Sequence, residues 1–368
     1  MALSFFMPSK VIGGDEAVIK NSFVFSSLGK KAIIITGKSS AEKSGALNDV
    51  KAALEKENIE YAVYNKINEN PLLSLCFEAG KTAYGFSADF IIGIGGGSVL
   101  DATKAAAIFA ENPNFSPDDI YTRKIPAKHL KTVLIGTTSG TGSEVSSVSV
   151  MTHDKTGVKK SISGPDCYAD YVFADDRYTF SMPYNTTVST ALDALAHITE
   201  GFFSPKMTES EKLFANEGIP MLVSALKEIN ETKALPNENL RRKLYTASLY
   251  AGMVLNTCGT GFPHPLGYVL TEYKGVPHGK ACTYFYEFFL SRAKEFEREK
   301  FDEFIALTKI KEDELIKIVN ELTDIEVYFT DEEKERIKER FISNPPRNFQ
   351  NSPGGFSVED IINNNLYK

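Results

Sequence analysis

Two hydrophobic rhythms divide the chain. In its first half, short continuous apolar runs end at turn residues: Ala32-Ile33-Ile34-Ile35-Thr36-Gly37, Phe90-Ile91-Ile92-Gly93-Ile94-Gly95 and Thr132-Val133-Leu134-Ile135-Gly136. Runs of this kind suit strands buried on both faces of a parallel sheet. Between them lie helix-like stretches, Ala46 to Lys56 and Leu73 to Gly85, a short strand Tyr61 to Tyr64, and a turn at Glu69-Asn70-Pro71. The alternation predicts an α/β layer with a parallel sheet. After Asp175-Asp176 and Met182-Pro183 the strand runs vanish and helical periodicity takes over. It covers Thr187 to Gly201, Thr208 to Lys227 with a kink expected at Pro220, Asn239 to Asn256, and the aromatic-rich Thr283 to Leu290. The expected architecture is an α/β domain over residues 1–180 and an all-α domain over 181–368. The Lys/Glu-rich helices between Arg292 and Arg340 read as solvated faces, and Asn344 to Gly355 as a loop before a short helix.

Two loops at strand ends carry the first candidate chemistry. Gly95-Gly96-Gly97-Ser98 joins a strand to a helix, and three glycines let a ligand approach the backbone without Cβ obstruction. The helix start behind them favours a phosphate or pyrophosphate. The spacing matches neither the Rossmann fingerprint nor a P-loop. Thr137-Thr138-Ser139-Gly140-Thr141-Gly142-Ser143-Glu144 follows another strand, at the sheet end where open α/β proteins bind ligands. Lys159-Lys160 lie in a polar stretch and, taken alone, read as surface charges.

The second candidate site is in the helical half. Asp193 and His197 are four residues apart, which stacks them on one helix face. The chain has five histidines, and two others, His264 and His278, occupy a Gly/Pro-bearing segment from Gly259 to Gly279, where they are expected to be held by rigid loops. Each residue alone is more often a packing or salt-bridging group. Together, in so histidine-poor a chain, Asp193, His197, His264 and His278 form a set suited to a divalent transition metal.

Composition narrows the setting. The net charge of −7 comes with no basic block, so neither nucleic acid nor an anionic membrane is an expected partner. No apolar run approaches a membrane span, and the beginning of the chain lacks a leader pattern, which predicts a soluble, unprocessed protein. Four dispersed cysteines without a CxxC pair fit a reducing cytoplasm and argue against a disulfide framework or a thiolate zinc site.

These motifs resemble, in order and over about Phe5 to Tyr286, the iron-containing alcohol dehydrogenase family, related in fold to glycerol dehydrogenase and dehydroquinate synthase. The most specific pieces are Gly95-Gly96-Gly97-Ser98-x2-Asp101-x2-Lys104, the Thr137 to Glu144 loop, Asp193-Ala194-x2-His197, and His264 to Pro277-His278-Gly279. The resemblance implies an N-terminal domain that binds NAD or NADP and a helical domain whose Asp193, His197, His264 and His278 hold iron, with zinc as the alternative. Gly95, Gly96, Gly97 and Ser98 would face the pyrophosphate, and Asn70, Thr137, Thr138, Thr141 and Lys159 match family positions near the nucleotide. Where many members carry a further histidine, four residues after His264, this chain has Tyr268, which places the family's proton route in doubt.

The implied reaction moves a hydride between the nucleotide and a small primary alcohol or aldehyde, the metal acting as Lewis acid. Family members that select NAD commonly have an Asp at the position of Gly37. Gly37-Lys38-Ser39-Ser40 offers a cation and hydroxyls instead, which predicts a preference for NADP. Phe202, Phe262 and Pro263 are expected to line an apolar pocket. A glycerol or diol dehydrogenase is the nearest alternative. A dehydroquinate synthase-like lyase ranks lower, because the segments around Asp193 and His264 supply few of the Lys or Arg groups its anionic substrate needs. A homodimer is left open.

Overall fold

The computed structural model describes residues 3–364, 366 and 367. It divides into two compact units: Phe6–Met182, and the chain from Pro183 onward together with the residues before Phe6.

The first unit is built on a six-stranded sheet. Its strands are β1 (Lys10–Gly13), β2 (Lys31–Gly37), β3 (Glu60–Ile67), β4 (Phe90–Gly95), β5 (Lys131–Gly136) and, after the antiparallel hairpin β6 (Val148–Thr152) and β7 (Lys159–Ser163), β8 (Tyr171–Ala174). The spatial order is β1-β8-β5-β4-β2-β3, every pair parallel. The apolar runs are continuous because alternate residues serve two cores. Ile33 and Ile35 pack with the helices Leu73–Phe86 and Gly97–Glu111, while Ala32 and Ile34 pack on the opposite face with Ala46–Lys56. From β2 the chain steps outward to β3, then returns to β4 on the other side of β2 and continues to β5. The order reverses between β2 and β4, so their carboxyl ends, Gly37 and Gly95, flank a topological switch point.

The second unit is helical. Its central helix, α1 (Tyr184–Phe202), is buried almost all round, and α2 (Glu209–Thr232) and α3 (Glu238–Cys258) pack against it. α2 continues through Pro220 to Thr232, past the end predicted at Lys227. α4 (Pro263–Lys274) and α5 (His278–Thr283) follow. The aromatic-rich helix expected over Thr283 to Leu290 begins later and runs further, at Tyr286–Phe296, after α5 ends at Thr283. No described helix is long and apolar enough to cross a membrane.

Candidate functional site

In the helical unit, Asp193 and His197 lie on one face of α1, and Asp193 Oδ1 is 3.7 Å from His197 Nε2. The same oxygen is 3.7 Å from His264 Nε2 and 3.7 Å from His278 Nε2. One carboxylate oxygen thus stands equidistant from three imidazole nitrogens contributed by three helices. The His197 and His264 rings stack with centroids 4.6 Å apart, and His278 meets His264 edge-on at 5.4 Å.

His264 and His278 are on helices, which corrects the expectation of loop residues. Pro263 is the first residue of α4, where its missing N–H costs nothing, and His264 follows it. Gly275, at φ +67°, closes that helix, and His278 opens α5 after Pro277. The Gly/Pro signals mark helix boundaries. One close approach seats α5 on α1, and a second seats α4 on α5. A Cβ on Gly279 would lie 1.8 Å from the Ser189 carbonyl oxygen and 2.8 Å from the Asp193 nitrogen, and one on Gly267 would lie 2.9 Å from the Cys282 nitrogen.

The donor set fits a divalent metal. Asp193, His197 and His264 are buried, while the His278 side chain is 29% exposed, the open side of the group. A carboxylate buried this deeply is costly unless a cation accompanies it. His264 Nε2 is buried and has no hydrogen-bond partner. Its other nitrogen, Nδ1, is 2.7 Å from Glu200 Oε1, and Glu200 Oε2 accepts the Gly261 N–H at 2.7 Å. A carboxylate on one ring nitrogen fixes the tautomer that turns the other toward a metal. Burial opposes charge on His264, but Cys282 and Glu200 outweigh it and raise its basicity well above that of an ordinary imidazole, so a metal would compete with a proton for Nε2.

Glu200 escaped the sequence reading, although it lies seven residues after Asp193, on the same helix face as Asp193 and His197. Glu200→Gln is expected to weaken metal affinity by about 10–100-fold, measured by competition with a chelator, with turnover recovering at high metal concentration. Tyr268 is half-buried and stacks on His278 with centroids 5.3 Å apart. Phe202 and Phe262 do not line a pocket: both are fully buried in the helical core, where Phe262 stacks on Phe356 at 4.1 Å. Pro263 is buried with them as the first residue of α4.

In the α/β unit the glycine turn and the threonine loop lie together. The Thr137 N–H donates to the Gly95 carbonyl at 2.9 Å. A Cβ on Gly96 would be 3.0 Å from Thr138, and one on Gly97 2.5 Å from Thr141. Gly96 caps the helix Gly97–Glu111, its carbonyl accepting the Val99 and Leu100 N–H groups at 2.9 and 3.2 Å, and the N–H groups ahead of them are the helix-start donors that suit an anion. The buried Thr137 hydroxyl has no hydrogen-bond partner. Asn70, at φ +53°, donates its backbone N–H to Ser98 Oγ at 3.2 Å. Its neighbour Pro71 accepts from Thr152, which pairs with Lys159 across the β6–β7 hairpin. Gly37 and Gly95 both pack on Val99, and Lys38 and Ser39 are exposed just beyond β2.

A buried ionic cluster holds these segments in place. Lys104 Nζ donates to Ser143 Oγ at 2.8 Å and to the Val148 carbonyl at 2.7 Å, while Asp101 accepts from Ser143 Oγ at 2.6 Å and from the Val150 N–H at 2.9 Å. The glycine helix is thereby tied to both the threonine loop and the hairpin.

Comparison with known proteins finds relatives over both units. The model of the iron-containing alcohol dehydrogenase family matches residues 8–176, and the model of its C-terminal part matches residues 187–327. An iron-containing alcohol dehydrogenase from Thermotoga maritima is 35% identical, superimposes with a TM-score of 0.90, and is matched over 98% of each chain. A sulfoacetaldehyde reductase from Bilophila wadsworthia is 31% identical over 77% of this chain and 73% of its own length. An NADPH-dependent butanol dehydrogenase from Clostridium saccharobutylicum is 29% identical over 69% of this chain and 65% of its own. The chain belongs to the iron-containing alcohol dehydrogenase family, oxidoreductases that pair a nicotinamide nucleotide with iron.

Proposed function

We propose that this protein transfers a hydride between NADP(H) and a small primary alcohol or aldehyde, at a metal held by Asp193, His197, His264 and His278. The observation that carries the reading is the single Asp193 oxygen 3.7 Å from three imidazole nitrogens. The metal, iron or zinc, would supply Lewis acidity toward the substrate oxygen, and the nicotinamide would supply or accept the hydride. Asp193 contributes the one negative charge among the four donors. Glu200 holds His264 with Nε2 directed at the site, and Tyr268 packs against His278, its open member. Residues 1–180 would act as the nucleotide-binding domain and 181–368 as the metal- and substrate-binding domain.

Support for the nucleotide comes from the switch point between β2 and β4, from the glycine turn at a helix start, and from the partnerless Thr137 hydroxyl. Gly37, Lys38, Ser39, Asn70, Gly95 to Ser98, Thr137, Thr138, Thr141 and Lys159 are the proposed contacts. The preference for NADP rests on Lys38, exposed at the end of β2 with no acidic residue at Gly37 to repel a 2′-phosphate. The relatives named as an NADPH-dependent butanol dehydrogenase and a sulfoacetaldehyde reductase support a short alcohol or aldehyde as substrate. Four buried free cysteines support a cytoplasmic location.

Protein reconstituted with iron or zinc is assayed by nicotinamide absorbance against a panel of short alcohols and aldehydes, with NADP and with NAD. Metal-dependent turnover, faster with NADP, is expected; none with any substrate would sink the proposal. Because a charge-assisted hydrogen bond is worth about 1.5–3 kcal/mol, Lys38→Ala should lower kcat/KM for NADP by roughly tenfold or more. Its effect on NAD should be small, and equal losses with both nucleotides would remove Lys38 from 2′-phosphate recognition.

A further inference from the structure

We infer that Cys282 is an additional donor of this metal site, one that gives it a sulfur ligand for soft dications such as zinc and cobalt. The inference rests on the metal-site reading above and extends it. Asp193, His264, His278 and Cys282 each offer one ligand atom, and these four atoms all lie within 4.8 Å of one another. Cys282 Sγ is 3.6 Å from His278 Nδ1 and 3.8 Å from Nε2.

The placement follows from the local sequence. His278 and Cys282 are four residues apart on α5, the same spacing that puts Asp193 and His197 on one face of α1. Gly279, pressed against Ser189 and Asp193, turns that face of α5 toward α1. Behind Cys282, Gly267 lets α4 close onto its backbone nitrogen. The sulfur is therefore sealed inside the protein, and Cys282 is fully buried.

A buried cysteine alone would mean little. The second observation is the setting of His264: Glu200 Oε1 occupies its Nδ1 at 2.7 Å, so the buried Nε2 is the nitrogen turned toward Asp193, 3.7 Å away, and toward the cluster. The cluster combines nitrogen, oxygen and sulfur donors, and thiolate favours zinc and cobalt over hard ions that prefer oxygen. A metal–sulfur bond would form with the sulfur supplying the electron pair and the thiol proton leaving by way of His278, whose Nδ1 is 3.6 Å from the sulfur and whose side chain is 29% exposed. No oxidation state changes.

The test is anaerobic loading of the metal-free protein with Co(II). Visible d–d bands report occupancy of the site, and a near-ultraviolet sulfur-to-cobalt charge-transfer band reports a Co–S bond. Both are expected in the unsubstituted protein. Cys282→Ser should keep the visible bands, lose the charge-transfer band, and bind zinc more weakly by roughly tenfold or more. Visible bands without charge transfer in the unsubstituted protein would overturn the sulfur donor and leave the Asp/His site standing. Failure to retain cobalt at all would overturn both. The spectrum of the unsubstituted protein decides between these outcomes even if the variant folds poorly.

Discussion

Asp193→Asn is expected to abolish metal retention and to lower turnover by about a thousandfold or more, while nicotinamide-nucleotide binding persists. Lewis-acid stabilisation by a bound metal is worth several kcal/mol, and each 1.36 kcal/mol is about a factor of ten in rate. The substitution is nearly isosteric, so the helix and its packing should survive. It replaces the oxygen 3.7 Å from all three imidazoles, the one anionic member of the set, by a neutral amide. Metal analysis of the purified variant, a nucleotide-binding titration and a thermal melt separate the possibilities. A variant that keeps its metal, or that loses nucleotide binding together with its fold, would return Asp193 and His197 to a structural ion pair.

The second large effect concerns Gly279, whose hydrogen faces the backbone of α1. Gly279→Ala would drive a methyl group to 1.8 Å from the Ser189 carbonyl oxygen, and backbone on both sides leaves no flexible side chain to yield. Overpacking of this kind costs about 1–3 kcal/mol and occasionally more, and the upper end is expected here. The strain falls on the contact that presents His278 and Cys282 to Asp193, so metal retention should fall with stability. A control is available at Gly85, exposed in the helix Leu73–Phe86, where an added Cβ meets nothing within 4 Å. Gly85→Ala should be neutral or stabilising by roughly 0.5–1 kcal/mol. Denaturant midpoints of the two variants make the comparison; similar midpoints would remove the steric account of the α1–α5 contact.

The strands at the heart of the sheet were legible because they are buried on both faces and leave unbroken apolar runs. The others lacked that signature. β1 is short and largely exposed, β8 has four residues, and β7 carries a single apolar residue, Ile162, in the polar stretch around Lys159-Lys160. Asp193 and His197, by their spacing, suggested a site only when joined with the rarity of His264 and His278. The helical setting of His264 and His278 was not legible, because proline and glycine are equally at home in loops and at helix ends. Glu200 and Cys282 obey the same spacing logic as the residues that were found. What hid them is that glutamate and cysteine are unremarkable in a helix until packing shows which face they share. Phe202 and Phe262 illustrate the converse: nearness in sequence to a candidate ligand says nothing about direction, and both side chains turn into the core.

Four side chains from three helices, Asp193, His197, His264 and His278, are proposed to form one metal centre. The most direct measurement is diffraction from crystals of the iron- or zinc-loaded protein, with data collected on both sides of the metal's absorption edge. One anomalous peak bounded by Asp193, His197, His264 and His278 is the predicted result. A metal bound elsewhere, or a fully loaded protein with no peak at those four residues, would contradict it.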